Sequence, residues 1–427
     1  MLKPILGPIL LLILSLPATP VFAADEVTFL VAGSLIDTLE GERIANPVVE
    51  IRGDRVVSVT AGGTIPDGAK VIDLGDATIL PGLADMHTHL TYYDTDFGME
   101  ALALSTADYS IRGVVNARRA LLAGFTAARN LGAAGFSDVA LKNAINDGHI
   151  PGPRLQVSGP SIGATGGHCD NNRLAVEFEA TNAGVADGPW AARRKVRENR
   201  KYGADVIKIC ATGGVLSKGT DPGARQITFE ELEAIVDEAH MLGMKVAAHA
   251  HGTEGILFAI RAGVDSIEHS SLIDDEGLRL AKRNGTFLSI NAYTPIFMRA
   301  NGESLGIPPD SLERAREMAG ARLERYRAAI EADARIVFGS DTSTYPHGDH
   351  AKQFAVYVEL GMSPMEAIQS ATTVAAESLG WVGDTGAVAA GYFADIIAVD
   401  GDPLEDVSIL ENVTFVMRGG EVYKSPR

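Results

Sequence analysis

The sequence predicts an α/β protein, a (β/α)8 TIM barrel with a small β-sandwich domain built from both chain ends. Three observations carry this prediction. Apolar strand-like runs alternate with helical patterns eight times over roughly 300 residues, which favours a closed barrel over an open sheet. The two chain ends share a different texture, short strands broken by Gly, Asp and Pro turns. Finally, a doubly wound sheet would carry a Gly-rich phosphate loop after its first strand, and here that position holds His87-Thr88-His89.

Taken in order, the N-terminal strands are expected at Val27–Ala32, Val48–Arg52, Arg55–Thr60 and Lys70–Leu74, with Gly53-Asp54 turning the middle pair as a hairpin. The C-terminal counterparts are Ala394–Val399, Val413–Arg418 and Glu421–Tyr423. Neither block has enough apolar residues to stand alone, so they are expected to join. The eight central strands are expected at Ile79–His89, Phe125–Leu131, Arg154–Ser158, Ala204–Ala211, Lys245–Ala250, Ser266–His269, Thr286–Asn291 and Arg335–Asp341. Between the fourth and fifth, Thr228–Leu242 reads as a helix, with Thr228 as N-cap and Glu231 completing a capping box. The domain division that follows is 1–23 a leader, 24–80 and 383–427 the two parts of the β-sandwich, and 81–382 the barrel.

The leader is legible in Lys3, the apolar run Ile5–Leu16, the Pro17–Pro20 break and the small-residue site Val21-Phe22-Ala23. The run is too short to span a bilayer, so export to the periplasm or medium is expected, without stable membrane insertion. Lys+Arg 37 against Asp+Glu 55 gives net charge −18, which argues against a nucleic-acid-binding surface over the whole protein. Two cysteines, Cys169 and Cys210, exclude a disulfide framework and a cysteine-rich zinc module; whether the two pair is left open.

Chemistry concentrates at the predicted strand ends. His87 and His89, two apart on one strand, share a face. His249 ends the fifth strand, His269 the sixth, and Asp341 the eighth. C-terminal strand ends converge in a barrel, and imidazoles with a carboxylate gathered there form a set suited to Zn²⁺. Lys208 lies in the fourth strand among apolar neighbours. A lysine there is costly unless its charge is paired or removed. Either an ion pair with Asp341 or a carbamate, formed with CO2 and bridging two metals, would meet that need.

These residues resemble the amidohydrolase superfamily, in particular its binuclear prolidase-like and ochratoxinase-like branch, which is related to the imidazolonepropionases. Residues 71–423 follow that layout, and Ile79-Leu80-Pro81-Gly82-Leu83-Ala84-Asp85-Met86-His87-Thr88-His89 is similar to the family's opening motif. The resemblance implies that His87, His89 and Asp341 hold one divalent ion, most often zinc, that His249 and His269 hold a second, and that carbamylated Lys208 bridges them. It also implies Asp341 as the catalytic residue, taking a proton from the attacking hydroxide and passing it to the leaving amine. Such a core carries about +1, which favours a small-molecule or dipeptide substrate with a free carboxylate. His168, in the Gly-rich loop 164–170, matches a substrate-binding position of the family. A homo-oligomer, octamers included, is the assembly implied.

His251 and His347 are further candidates for substrate contact, each against a plain structural role, while Arg225 reads better as a solvated surface residue. The leading expectation is a metallo-amidase or carboxypeptidase-like enzyme cleaving an Xaa-Pro dipeptide, another dipeptide or an N-acyl aromatic amino acid of the ochratoxin type. The alternatives are a hydrolase or deaminase of cyclic amides such as imidazolones, and a non-enzymatic binding barrel.

Overall fold

The computed structural model describes residues 27–92 and 103–426, so the expected leader lies outside the described residues. Among the described residues no helix is long and apolar enough to cross a membrane. The centre of the chain is an α/β array of eight parallel strands in two sheets. Leu83–Thr88, Phe125–Asn130 and Arg154–Val157 form one; Val206–Cys210, Lys245–Ala250, Ser266–His269, Phe287–Ile290 and Ile336–Phe338 form the other, each in sequence order. Backbone hydrogen bonds bridge both seams. Ile162 N donates to Lys208 O at 2.8 Å and Cys210 N to Ile162 O at 2.9 Å; at the other seam Asp341 N donates to His87 O at 2.7 Å.

Helices cover the strands because their apolar residues recur on one face. In Phe229–Met241 the buried set Leu232, Ile235, Val236 and Ala239 follows the three- and four-residue spacing of a helix stripe. Its start is the predicted capping box, Thr228 accepting from Glu231 N while the Glu231 carboxylate accepts from Thr228 N at 2.8 Å. These side chains meet the strand residues Ile207, Ile209, Val246 and Ala248 in the main apolar core.

The chain ends build two further sheets. One has the order Arg55–Ala61, Pro47–Arg52, Val27–Val31, Lys70–Asp73. The other runs Glu421–Lys424, Phe415–Arg418, Ile396–Val399, Thr78–Pro81, Ser34–Asp37, Glu42–Ala45, so both ends share it. A buried cluster including Leu30, Val49 and Ile51 from the first and Ile79, Ile396 and Phe415 from the second lies between them. Ser34–Asp37 and Glu42–Ala45 were not among the expected strands; they pair antiparallel through a turn with Gly41 in the left-handed region at φ 71°, and each is only four residues long.

One expected element divides. The run 79–89 is two strands, Thr78–Pro81 pairing antiparallel with Ile396–Val399, and Leu83–Thr88 pairing parallel with Phe125–Asn130. Gly82 is the pivot. Its N–H is held by Asp395 O at 2.8 Å, and a Cβ there would collide with the Thr126 side chain. Gly82→Ala should therefore destabilise the protein by roughly 1–3 kcal/mol through overpacking. Thermal melts read this, and adding Thr126→Ala should recover part of the loss; a double variant no more stable than Gly82→Ala would refute the contact as the cause.

Candidate metal centre

The parallel strands bring the predicted residues to one end of the array. His87 comes from the first strand, Lys208 from the fourth, His249 from the fifth and His269 from the sixth, while His89 and Asp341 lie just past the first and eighth. They line a cavity of about 560 Å³, within the range of small-molecule sites. Ligand atoms of His87, His89 and Asp341 form one tight group and those of His249, His251 and His269 a second. Lys208 Nζ lies 3.4 Å from His87 Nε2.

The chain turns sharply where these ligands sit. His269 and Asp341 both have left-handed backbones, φ 71° and 61°. Such positions cost about 1–3 kcal/mol for a residue with a Cβ and persist only where surroundings hold them. Here Tyr326 Oη donates to His269 O at 2.7 Å, and Asp341 N donates to His87 O.

Hydrogen-bond partners fix which ring nitrogens are protonated. The His249 Nε2–H points at Gly213 O, 3.0 Å, an atom that can only accept. The His269 Nδ1–H meets Asn291 Oδ1 at 3.0 Å, and Asn291 Nδ2 donates to Asp341 Oδ2 at 3.2 Å. His87 Nδ1 lies 3.1 Å from Glu268 Oε2. Each ring thus keeps one nitrogen lone pair: Nε2 of His87, Nδ1 of His249 and Nε2 of His269. His87 Nε2 and His89 Nε2 approach Asp341 Oδ1 at 3.4 and 3.2 Å. Neutral imidazoles anchored through the second nitrogen are the donor form that holds a divalent ion, so these residues fit the metal that their types imply.

Electrostatics agree. Burial, reinforced by Lys208, lowers the His87 pKa; burial and neighbouring imidazoles hold those of His249 and His269 well below the usual range. Burial would raise Asp341, but His87, the His89 hydrogen bond and Lys208 bring it below the ordinary carboxylate value. Lys208 is pulled down to about 8 by burial, and no carboxylate among the described residues lies within 4 Å of its Nζ. The ion pair with Asp341 left open in the sequence is therefore absent.

The other candidates separate. His168 lines the cavity with its ring 4.1 Å from that of His249; it bonds Ser217 Oγ through Nδ1, and burial pushes it down to about 4. His251 also lines the cavity, stacked on His269. The structure does not bring His347 to the cavity wall: it is buried with its ring 5.8 Å from His350. Arg225 lies off the cavity, over the Phe258 ring and 3.6 Å from Glu254. Cys169 and Cys210 are joined, which ties the His168 loop to the strand of Lys208.

Sequence reasoning missed the residues that hold the ligands. Glu268, adjacent to His269, is fully buried and takes Arg129 Nη2 at 2.8 Å as well as His87. Arg129 Nε also donates to Met86 O at 2.8 Å. A Glu before a strand-end His and an Arg inside an apolar strand were the available signals. Asp85, bonded to His350 at 2.7 Å, braces the ends of the first and eighth strands by accepting from Ser340 N. Removing Arg129 would leave Glu268 buried and uncompensated, so Arg129→Met should cost roughly 3–5 kcal/mol. The double variant Arg129→Met/Glu268→Gln should cost less than Arg129→Met alone in denaturant melts; an equal or larger cost would refute the pairing.

The comparisons with known proteins agree with this geometry. The amidohydrolase family model matches residues 78–423. An ochratoxinase of Aspergillus niger is 35% identical over 431 residues, covering 94% of this chain and 87% of its own. The crystal structure of a Xaa-Pro dipeptidase with methionine bound in its active site superposes with a TM-score of 0.89 at 36% identity, covering 94% of this chain and 100% of that one. An imidazolonepropionase of Symbiobacterium thermophilum is 25% identical over 350 residues, 78% of this chain and 77% of its own. The expected branch is therefore the right one, and the chain is a hydrolase belonging to the amidohydrolase family.

Proposed function

We propose that the protein is a binuclear metal-dependent amidohydrolase that cleaves an amide next to a free carboxylate. Its substrates on this reading are Xaa-Pro and other dipeptides, or N-acyl aromatic amino acids of the ochratoxin type. The observation that carries the proposal is the pair of donor groups, His87, His89 and Asp341 on one side and His249 and His269 on the other, lining one cavity with Lys208 Nζ 3.4 Å from His87 Nε2. The relatives that cleave Xaa-Pro dipeptides and ochratoxin support the substrate class. The reading includes a closed (β/α)8 barrel over 81–382, a β-sandwich of 24–80 with 383–427, and export directed by 1–23.

Two divalent ions, zinc in this reading, would supply a Lewis acid for the amide carbonyl and a lowered pKa for water. The chain supplies the rest. Lys208, with its pKa drawn toward neutrality by burial, has the free amine that forms a carbamate with CO2; the N–C bond forms and one proton leaves. Asp341 Oδ2 is aligned by Asn291 and Oδ1 faces His87 and His89. Its depressed pKa keeps it ionised, ready to take a proton from water and return it to the leaving nitrogen. His168, neutral at pH 7, stands beside His249 where it can hydrogen-bond the substrate.

Elemental analysis should find about two divalent ions per chain. Lys208→Ala should lose most metal and activity, while Lys208→Glu should regain some, because a carboxylate replaces part of the carbamate. A Lys208→Ala protein with full metal and turnover would sink the carbamate. Asp341→Asn should stay folded yet lose at least the 10²–10⁴-fold that acid–base assistance typically provides; near wild-type kcat would move proton transfer elsewhere.

A further inference from the structure

We propose that Arg322, assisted by His251, forms the subsite that takes the carboxylate of the leaving amino acid. The proposal rests on the amide-hydrolase reading above and names the group that reads its substrate.

Arg322 lies on the helix Pro309–Glu331, is 6% exposed, and lines the cavity. No carboxylate among the described residues lies within 4 Å of its guanidinium. A permanent cation buried this way is costly, and its neighbours do little to offset it. Arg322 Nε donates to Ser271 Oγ at 3.0 Å and Nη2 approaches His251 Nδ1 at 3.4 Å, and neither partner is a carboxylate. A guanidinium carries five N–H groups in a planar fork suited to a carboxylate. Two are directed at these partners, and the group faces the cavity.

The same contacts settle what His251 does. Ser271 Oγ accepts from Arg322 and lies 2.7 Å from His251 Nδ1, so its hydroxyl proton points at that nitrogen. Nδ1 is then an acceptor already used by two donors, and the ring proton sits on Nε2. In this form His251 offers no lone pair to a metal; it offers an N–H to an anion. Although its ligand atom lies near those of His249 and His269, the contacts of Nδ1 group the ring with Arg322.

A carboxylate on the leaving side is the one that the proposed function supplies. The His251 ring stacks on His269 with centroids 4.5 Å apart, so Arg322 stands one imidazole beyond a proposed metal ligand. In an N-acyl amino acid three bonds separate the scissile carbonyl carbon from the carboxylate carbon, about 3–4 Å with ordinary bond lengths. Pro295, Met298 and Ala315 line the same cavity and add apolar surface for the amino-acid side chain. Ala315 is two helical turns before Arg322 and shares its face.

The test compares an N-acyl phenylalanine with its C-terminal amide on the metal-loaded protein, in wild type, Arg322→Met and Arg322→Lys, with metal content and thermal midpoint measured alongside. Wild type should prefer the acid. Arg322→Met should raise KM for the acid on the order of 10²-fold, the cost of unpairing a buried charge, and the ratio of kcat/KM for acid over amide should fall by a similar factor. Arg322→Lys should keep part of the preference, because it retains the charge without the fork. A preference for the acid that survives Arg322→Met overturns the subsite and leaves the proposed function standing. If Arg322→Met does not fold, an undiminished preference in Arg322→Lys overturns it. Equal turnover of acid and amide by wild type would overturn both proposals.

Discussion

The Glu268 carboxylate is the constraint on which the rest of the site depends. Burial alone would push its pKa up, yet Arg129, the His87 hydrogen bond and Lys208 together hold it well below the usual carboxylate range. A buried anion of this kind survives only with its partners in place. Its two oxygens divide the work: Oε1 accepts from Arg129 and from Ser266 Oγ, and Oε2 faces His87 Nδ1. Arg129 carries the restraint back to the first strand through Met86 O. One side chain on the sixth strand thus lies against the ring of His87 on the first, across the array.

The backbone follows the same logic. Strands of this array end where their last side chains turn inward, and two of those ends, His269 and Asp341, adopt left-handed conformations. Extended geometry would alternate successive side chains between faces. Breaking that alternation lets Glu268 stay in the buried interior while His269 turns to the cavity. The strain is held by hydrogen bonds from Tyr326 and to His87, so ligand placement is part of the packing. Gly339 continues the theme, since a Cβ there would strike Ser289 and crowd His87.

Much of this was legible because strand ends and ligands coincide. Lys245–Ala250 and Ser266–His269 match the sequence reading residue for residue, since each is a short apolar run bounded by Gly, Asp or polar residues. His87, His89, Lys208, His249, His269 and Asp341 could be singled out because they stand at or just past the ends of such runs, and the structure brings all six to one cavity. Their supports were not. Arg322 and Tyr326 belong to a 23-residue helix rich in Arg and Glu, where periodicity gives no sign of which charge turns inward. The pairing of Cys169 with Cys210 joins residues 41 apart in sequence, a distance over which spacing says nothing about proximity. His347 follows the eighth strand, yet its ring packs 5.8 Å from that of His350 and is not among the residues lining the cavity, which a position just past a strand end does not foretell.

Local charge, and not the total, decides which ligand this site can hold. The chain carries a net −18, yet screening confines the influence of exposed acids to about 8 Å at physiological salt. Within the site Arg129 is matched by Glu268 at 2.8 Å, and Asp341 is set among His87, His89 and Lys208. Carbamylation in the proposed mechanism would turn Lys208 from a cation into an anion, balancing the metal charge with chain-derived groups. Arg322 stands outside that balance. Its charge is permanent, its near partners are a hydroxyl and an imidazole, and it faces the cavity. With the metals and carbamate of the proposed mechanism the donor set would approach neutrality by itself and Arg322 would remain as a separate cation for the substrate, which would divide the work of activating an amide from that of choosing which amide is activated.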